Sequence, residues 1–355
     1  MPIKLRNINL ASAHILSLVF LCLISIWGAL VYFFYALNNI GIIIALILAI
    51  VSFIIILWLN ARSKERISRN AYRVTQAQEH KIGNKKMAIH FILYTLYFIL
   101  LTSCFYILFT HRTTQAIISP WEVMPKYFFA FYGLATAILI AIILNYKTVL
   151  SSLFPLPLIS LHYFLSLSVV LIIYKIGFGF DPFVHQATVE LIDKTGAVFP
   201  KPFYYLGQYS LEIIIHKITN LPLNWMDRLL VPLAASLYLP LVFWQTLKKW
   251  FPDKKISLLV SLLILVLPFP FFIATTPQNF AYFLLLLIIL LGLKCDNVFN
   301  LTLIYIFSLV AISFQPIAGI PALLFSLALT VFHSSQSKKI KNYFYAAIFI
   351  ISSLI

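Results

Sequence analysis

The residues best suited to chemistry lie together in the segment 175–228, which holds five of the ten acidic side chains of the chain. Asp181 and His185 stand four residues apart, so a helix would place both on one face. A carboxylate there can act as a general base or hold a divalent cation such as Mg²⁺ or Mn²⁺, and a nearby histidine can orient it or carry a proton. Lys201 and Arg228 can neutralise negative charge that develops nearby.

Each of these residues also has a structural interpretation. Asp181 followed by Pro182 is a helix-start signal, because aspartate caps free first-turn amides and proline suits the first helical position. His185 can be a solvated or interface histidine, and Lys201 can extend beside lipid head groups. Arg228 can anchor the end of a helix. Residue type alone leaves both interpretations open.

Two short helices are predicted to position these residues. The first begins at Asp181 and stops at Gly196, with a stripe at helical spacing that consists of Val184, Ala187, Thr188, Leu191 and Ile192. The second has an apolar face of Leu211, Ile214, Ile215 and Ile218, with Glu212, His216 and Lys217 on its polar side. Both patterns are typical of amphipathic helices that lie along a membrane surface.

The stretch between these helices combines two prolines with several aromatic residues, from Phe199 to Tyr205. Prolines restrict the backbone, and aromatic side chains favour the membrane interface. Tyr204, Tyr205 and Tyr209 therefore fit an aromatic belt, and substrate contact is the alternative.

The rest of the chain is strongly apolar. Hydrophobic residues make up 62% of the sequence and charged residues 10%, with a mean hydropathy of +0.98. Long runs without charge match the roughly 20 residues that a helix needs to cross a bilayer. Because lipid-exposed backbone must satisfy its own hydrogen bonds, the composition predicts an all-α, polytopic transmembrane bundle and excludes a soluble domain.

About 11 spans are expected from the apolar runs. These runs cover residues 13–36, 40–59, 88–110, 127–145, 149–174, 229–247, 256–274, 279–293, 299–313, 317–333 and 343–355. The last run holds only about 13 residues, which is short for a span and suggests that a longer protein has been cut. His162 lies inside an apolar run, where we expect it to bond to a neighbouring helix.

Basic residues indicate the orientation of the chain. With the N-terminus in the cytoplasm, the cytoplasmic segments hold 19 of the 26 lysines and arginines, and the loop 60–87 alone holds eight. This bias predicts an inner (cytoplasmic) membrane protein whose single long external loop is 175–228. Because the bases cluster at alternate ends of the runs, the net charge of +16 indicates topology and contact with membrane lipids, with no role for nucleic acid.

Three short motifs in this external loop resemble those of GT-C glycosyltransferases, polytopic enzymes that take sugars from polyprenyl-phosphate or polyprenyl-diphosphate carriers. Phe180-Asp181-Pro182-Phe183-Val184-His185 is similar to the acidic signature of oligosaccharyltransferase catalytic subunits. Lys201-Pro202-Phe203-Tyr204-Tyr205 resembles the Lys-Pro-Pro-Leu-Tyr-Tyr stretch of aminoarabinose and mannose transferases. Trp225-Met226-Asp227-Arg228-Leu229-Leu230 is similar to the Arg-Leu segment that opens their next helix.

The resemblance implies a function and a division of the chain. Residues 1–148 would form an added four-helix block with the basic cytoplasmic loop, and 149–355 would form a GT-C-like module. A sugar would pass from a polyprenyl-linked donor to an unspecified acceptor on the outer face of the membrane. The resemblance implies that Asp181 and His185 are catalytic, with Asp181 the ligand of any metal. It implies substrate contacts for Lys201, Tyr204, Tyr205 and Arg228.

Two other classes of function stay open. A transporter or lipid flippase often carries ion-coupling carboxylates inside its spans, and none of the apolar runs has an acidic or basic residue well inside it. A non-catalytic membrane scaffold related to GT-C proteins is the third alternative.

Overall fold

The computed structural model describes residues 10–68, 84–145, 155–202, 204–251, 253–266, 269–295 and 298–334. Within these ranges the structure is helical, apart from one isolated bridge between Thr113 and Tyr174. The helices are α1 (Leu10–Phe34), α2 (Asn39–Ser68), α3 (Asn84–Thr110), α4 (Lys126–Asn145), α5 (Pro155–Leu167), α6 (Val169–Ile173), α7 (Asp181–Thr195), α8 (Leu206–Thr219), α9 (Leu223–Leu247), α10 (Lys254–Ser261), α11 (Pro277–Leu293), α12 (Val298–Phe314) and α13 (Pro316–Ser334).

Five described helices are long and apolar enough to cross a membrane. Their candidate spans are His14–Phe34, Asn39–Trp58, Phe91–Thr110, Lys126–Asn145 and Leu223–Leu247. Shorter apolar helices cover Pro155–Leu167, Pro277–Leu293, Phe299–Phe314 and Pro316–Phe332. The prediction of an all-helical integral membrane protein is therefore confirmed, whereas the expected number of about 11 spans is not.

Two predicted runs are interrupted in the structure. The run 149–174 forms α5 and α6, which are separated at Ser168. In the run 256–274, residues 256–261 belong to α10, and 3₁₀ turns follow at Leu262–Val266 and Phe269–Phe272. Prolines at 268 and 270 in this run have no amide hydrogen to donate, which disfavours a continuous helix there. The run 343–355 and the predicted boundary at 148 lie outside the described residues.

The chain divides into two compact units built from interleaved segments. The first combines Met1–Ser63, His185–Met226 and Thr276–Ile355, and the second combines Lys64–Val184 and Asp227–Thr275. In the second unit, a hydrogen bond between Thr136 of α4 and His162 of α5 joins the two helices, and it involves a ring nitrogen of His162. Its Nε2 lies 3.0 Å from Thr136 Oγ1, and its ring stacks on Tyr132 at 4.9 Å. The expectation that His162 bonds to a neighbouring helix is confirmed.

In the first unit, α8 packs against α1 and α12. Small residues permit this approach: a Cβ added to Gly28 of α1 would lie 2.7 Å from Ser210 Cβ, and one added to Gly207 would lie 2.7 Å from the ring of Phe314. Ser25 Oγ also donates to Gly207 O at 2.8 Å, which ties α1 directly to the α8 backbone.

The predicted surface location of α8 is wrong. The first nine residues of this helix, Leu206–Ile214, are all buried, and they include Gln208, Ser210 and Glu212. Glu212, which was expected on the polar side of the helix facing water, is fully buried, and α1 and α12 pack against α8. The last turn is more open, and Lys217 and Ile218 are exposed there.

Candidate functional site

Hydrogen bonds fix the backbone that enters the predicted catalytic helix. Thr113 N donates to Ile173 O at 2.9 Å, and Lys175 N donates to Thr113 O at 3.1 Å. Arg228 then holds the next two carbonyls, since its Nη1 donates to Lys175 O at 3.1 Å and its Nη2 donates to Ile176 O at 2.6 Å. The guanidinium that was predicted to contact phosphate therefore binds main chain, a few residues before Asp181.

Asp181 lies at the first residue of α7 and is exposed. The turn before it depends on Gly177, whose φ of +141° suits glycine, and a Cβ there would lie 2.7 Å from the ring of Phe183. The Asp181 carboxylate makes no hydrogen bond or ion pair to another described residue, so it does not cap the first turn of α7 with its side chain. Its oxygens are available to water or to a bound molecule.

His185 lies one helical turn after Asp181 and is half-buried. Its Nδ1 is 2.7 Å from the Tyr209 hydroxyl, and its ring meets the Tyr205 ring edge-on at 5.0 Å. Burial raises the pKa of the Tyr209 phenol. The phenol therefore keeps its proton at neutral pH, and it can donate this proton to Nδ1 and fix the orientation of the imidazole.

Tyr204 and Tyr205, which were predicted to contact substrate, form an aromatic cluster with His185 and Tyr209. Their rings meet edge-on at 4.7 Å. Tyr205 has a φ of +71°, which is uncommon for a residue with a side chain, and its amide donates to Phe314 O at 3.1 Å. Tyr204 is exposed, whereas Tyr205 is half-buried, so Tyr204 is the more accessible of the two.

Lys201 binds the C-terminal end of α1. Its Nζ donates to Tyr32 O at 2.7 Å and to Tyr35 O at 2.6 Å, and it lies 5.0 Å from the centre of the Tyr32 ring. The last carbonyls of a helix carry partial negative charge and lack helical partners, so a cation is favourable there. Lys201 thus contributes to the packing of the first unit through its ammonium group.

The sequence interpretation missed a buried polar pair on α8. Gln208 and Glu212 are both fully buried, and Gln208 Nε2 donates to Glu212 Oε1 at 2.7 Å. One sequence signal could have revealed it. Gly207 and Ser210 are small residues about one helical turn apart, and small residues let neighbouring helices approach α8 closely.

The described residues do not contain a group of three histidine, cysteine, aspartate or glutamate side chains that could hold a metal ion. Divalent cations such as Mg²⁺ take about six oxygen ligands, and Asp181 alone would supply one carboxylate. The described residues therefore do not form a metal site of this kind around Asp181.

Comparison with protein-family models, with curated proteins and with solved structures gives no match to this chain. Fold and site together define the class of an all-helical integral membrane protein. This protein presents an exposed carboxylate, that of Asp181, at the start of a short helix. The same helix carries an imidazole that is held by a buried tyrosine.

Proposed function

We propose that the protein is a GT-C-like membrane glycosyltransferase, which moves a sugar from a polyprenyl-phosphate or polyprenyl-diphosphate donor to an acceptor on the outer face of the membrane. The observation that supports it most is the exposed Asp181 carboxylate, which has no partner among the described residues. Because Arg228 and Thr113 fix the backbone before it, this carboxylate is displayed from a constrained position.

In the proposed reaction, the acceptor group loses its proton to the Asp181 carboxylate as its lone pair attacks the anomeric carbon of the sugar. The bond between that carbon and the phosphate oxygen breaks, and the electron pair leaves with the phosphate on its lipid carrier. A positioned base of this kind contributes about 10²- to 10⁴-fold to a rate. Asp181 then returns the proton to water, and His185, oriented by Tyr209, serves as a proton carrier in this proposal.

In this proposal Arg228 and Lys201 bind main-chain carbonyls and are not primarily phosphate contacts. Arg228 donates hydrogen bonds to the carbonyls of residues 175 and 176, so it is a positioning residue for Asp181. Lys201 is bound to carbonyls of α1. A phosphate would have to compete with these carbonyls for either cation. Tyr204, which is exposed, is the more accessible candidate for stacking against a sugar ring.

Replacing Asp181 with asparagine tests the assignment. Full-length protein in liposomes would receive a panel of polyprenyl-phosphate donors, each with one radiolabelled sugar, together with a cell-envelope extract as the source of acceptor. Transfer of label from the polyprenyl carrier to any other molecule would be measured by thin-layer chromatography. We expect Asp181→Asn to lower the rate at least about 100-fold. Glu190→Gln is the matched control, because it removes another carboxylate from α7 and should leave the rate unchanged. Full turnover in Asp181→Asn would refute the catalytic role.

A transporter is the second candidate, because one observation favours it. Glu212 is a fully buried acid on a helix that packs against α1 and α12, and buried carboxylates often couple ions to transport. The same liposomes separate the candidates. Transfer of label from the polyprenyl carrier supports the transferase, and movement of intact donor between leaflets supports the transporter. If neither event occurs, the result supports a non-catalytic scaffold.

A further inference from the structure

The buried pair on α8 has an unbalanced set of hydrogen-bonding groups. Gln208 uses one amide hydrogen on Glu212 Oε1, at 2.7 Å. Its own carbonyl oxygen, Oε1, is buried as well and accepts no hydrogen bond from any described residue. A buried acceptor without a donor costs free energy comparable to a lost hydrogen bond. What Gln208 lacks is therefore a donor.

The helices packed against α8 supply little charge. α1, α11 and α12 contain no aspartate, glutamate, lysine or arginine. Their titratable groups, together with those of α7 and of α8 itself outside the pair, are His14, Cys22, Tyr32, Tyr282, Tyr305, Asp181, His185, Glu190, Asp193, Lys194, Tyr209, His216 and Lys217. Two of these groups are already engaged with each other, since Lys217 lies 2.6 Å from Asp193.

The chemistry of the two side chains indicates what completes the pair. An ionised carboxylate only accepts hydrogen bonds, whereas a protonated carboxyl group also donates one. A proton on Glu212 would supply the donor that Gln208 Oε1 lacks, and it would remove a negative charge from an interior where charge is costly. One event thus supplies a donor to Gln208 and neutralises Glu212.

We propose that Gln208 and Glu212 form a buried proton-binding site, in which the Glu212 carboxyl group holds a proton at neutral pH and donates it to Gln208 Oε1. The amide and the acid are then joined by two hydrogen bonds, one in each direction. A buried carboxyl group that releases its proton when its surroundings rearrange can couple proton movement to the work of a membrane protein.

Infrared spectroscopy of the full-length protein tests this site directly. Protein labelled with ¹³C on the glutamate carboxyl groups would be measured in lipid at pH 7, where a protonated carboxyl gives a C=O stretching band that an ionised one lacks. We expect a band equal to one of the five glutamates. It should vanish in Glu212→Gln and persist in Glu190→Gln, whose partner Gln186 makes the same contact at 2.8 Å on the half-exposed α7.

Several results would overturn the assignment. Absence of the band in the wild-type protein at pH 7 would show that Glu212 is ionised. Survival of the band in Glu212→Gln would place the proton on another glutamate. A carboxylate band that shifts when sodium chloride replaces choline chloride would show that a metal cation, and no proton, neutralises the site.

A second variant keeps the test decisive if Glu212→Gln does not fold. Gln208→Leu retains the acid but removes both hydrogen bonds, so the C=O band should move to higher frequency. An unchanged band position would contradict the proposed pairing. Neither measurement uses a sugar donor, so both are independent of the transferase assay.

Discussion

Helices α7 and α8 carry the same local motif in opposite surroundings. In α7, Gln186 Nε2 donates to Glu190 Oε1 at 2.8 Å, and both residues are half-exposed. In α8, Gln208 Nε2 donates to Glu212 Oε1 at 2.7 Å, and both are fully buried. The two helices share the spacing of the two residues and the hydrogen bond between them. This hydrogen bond therefore does not determine whether a helix is buried or exposed.

The difference comes from what the partner helices offer. Gly207 and Ser210 of α8 and Gly28 of α1 are small residues at the contacts between helices, so the backbone of α8 can approach its neighbours closely. α7 has no glycine within its span, and its apolar side chains Val184 and Leu191 remain exposed. Small residues on two separate segments therefore bury a polar pair that amphipathic pattern alone would leave at the surface.

Reversing the charge of the glutamate should give the largest difference in stability between a variant of α8 and a variant of α7. Glu212→Lys would place a cation where no water reaches, whereas Glu190→Lys would place it at a half-exposed position. An uncompensated buried charge costs about 3–5 kcal/mol, a large part of the stability of a typical protein. We expect Glu212→Lys to yield little folded protein, measured as the monodisperse fraction on size-exclusion chromatography in detergent.

Glu190→Lys supplies the control for expression and for charge. Its yield and elution should match those of the wild-type protein, because surface substitutions usually change stability by less than about 0.5 kcal/mol. If both variants elute alike, water reaches Glu212 and the contrast between α7 and α8 is wrong.

The ends of α7 could be predicted from sequence because local signals determine them. Asp181-Pro182 marks its first turn, and Gly196 ends it with a φ of +79°, a conformation that glycine adopts readily. The carboxylate was also predicted to be accessible at this end, and it is exposed. These features depend on a few adjacent residues, so no knowledge of the fold was needed.

The location of α8 could not be predicted in this way. Its burial depends on Gly28 and on Phe314, which are distant in sequence, and a hydropathy pattern contains no information about such partners. The roles of Lys201 and Arg228 show the same limit. Both bind main-chain carbonyls of other segments, and residue type indicates only that a cation will seek an acceptor.

Enlarging a glycine tests the packing that buries α8. Gly28→Leu would force a side chain into Ser210 and Ile214, which lie 2.7 and 2.8 Å from the Cβ position. Overpacking of this kind costs about 1–3 kcal/mol. We expect a lower Tm, measured by thermal unfolding in detergent, together with loss of the Glu212 infrared band if α8 is displaced.

Gly133→Leu is the matched control in another apolar helix. A Cβ at Gly133 of α4 would meet no atom within 4 Å, and leucine is the better helix former by up to about 1 kcal/mol. This variant should keep or raise the Tm. An equal loss in both variants would mean that glycine itself, and no contact with α8, matters at these positions.

The smallest effect is expected where α7 and α8 meet through a partly exposed ion pair. Lys217 Nζ lies 2.6 Å from Asp193 Oδ1, with side chains that are 34% and 17% exposed. Such pairs contribute about 0.2–1 kcal/mol, because water screens the attraction and two side chains must be ordered. A double-mutant cycle with Asp193→Asn and Lys217→Gln should therefore give a coupling energy in this range from chemical unfolding.

Salt dependence tells this pair apart from the buried one. Raising ionic strength shortens the Debye length from about 10 Å at 0.1 M to about 3 Å at 1 M, so the Asp193–Lys217 coupling should shrink. The infrared band of Glu212 should not change over the same range, because a neutral carboxyl group inside the protein has no charge to screen. A coupling that stays constant in salt would show that the pair is as shielded from water as Glu212, and the contrast between exposed and buried polar contacts would then lose its basis.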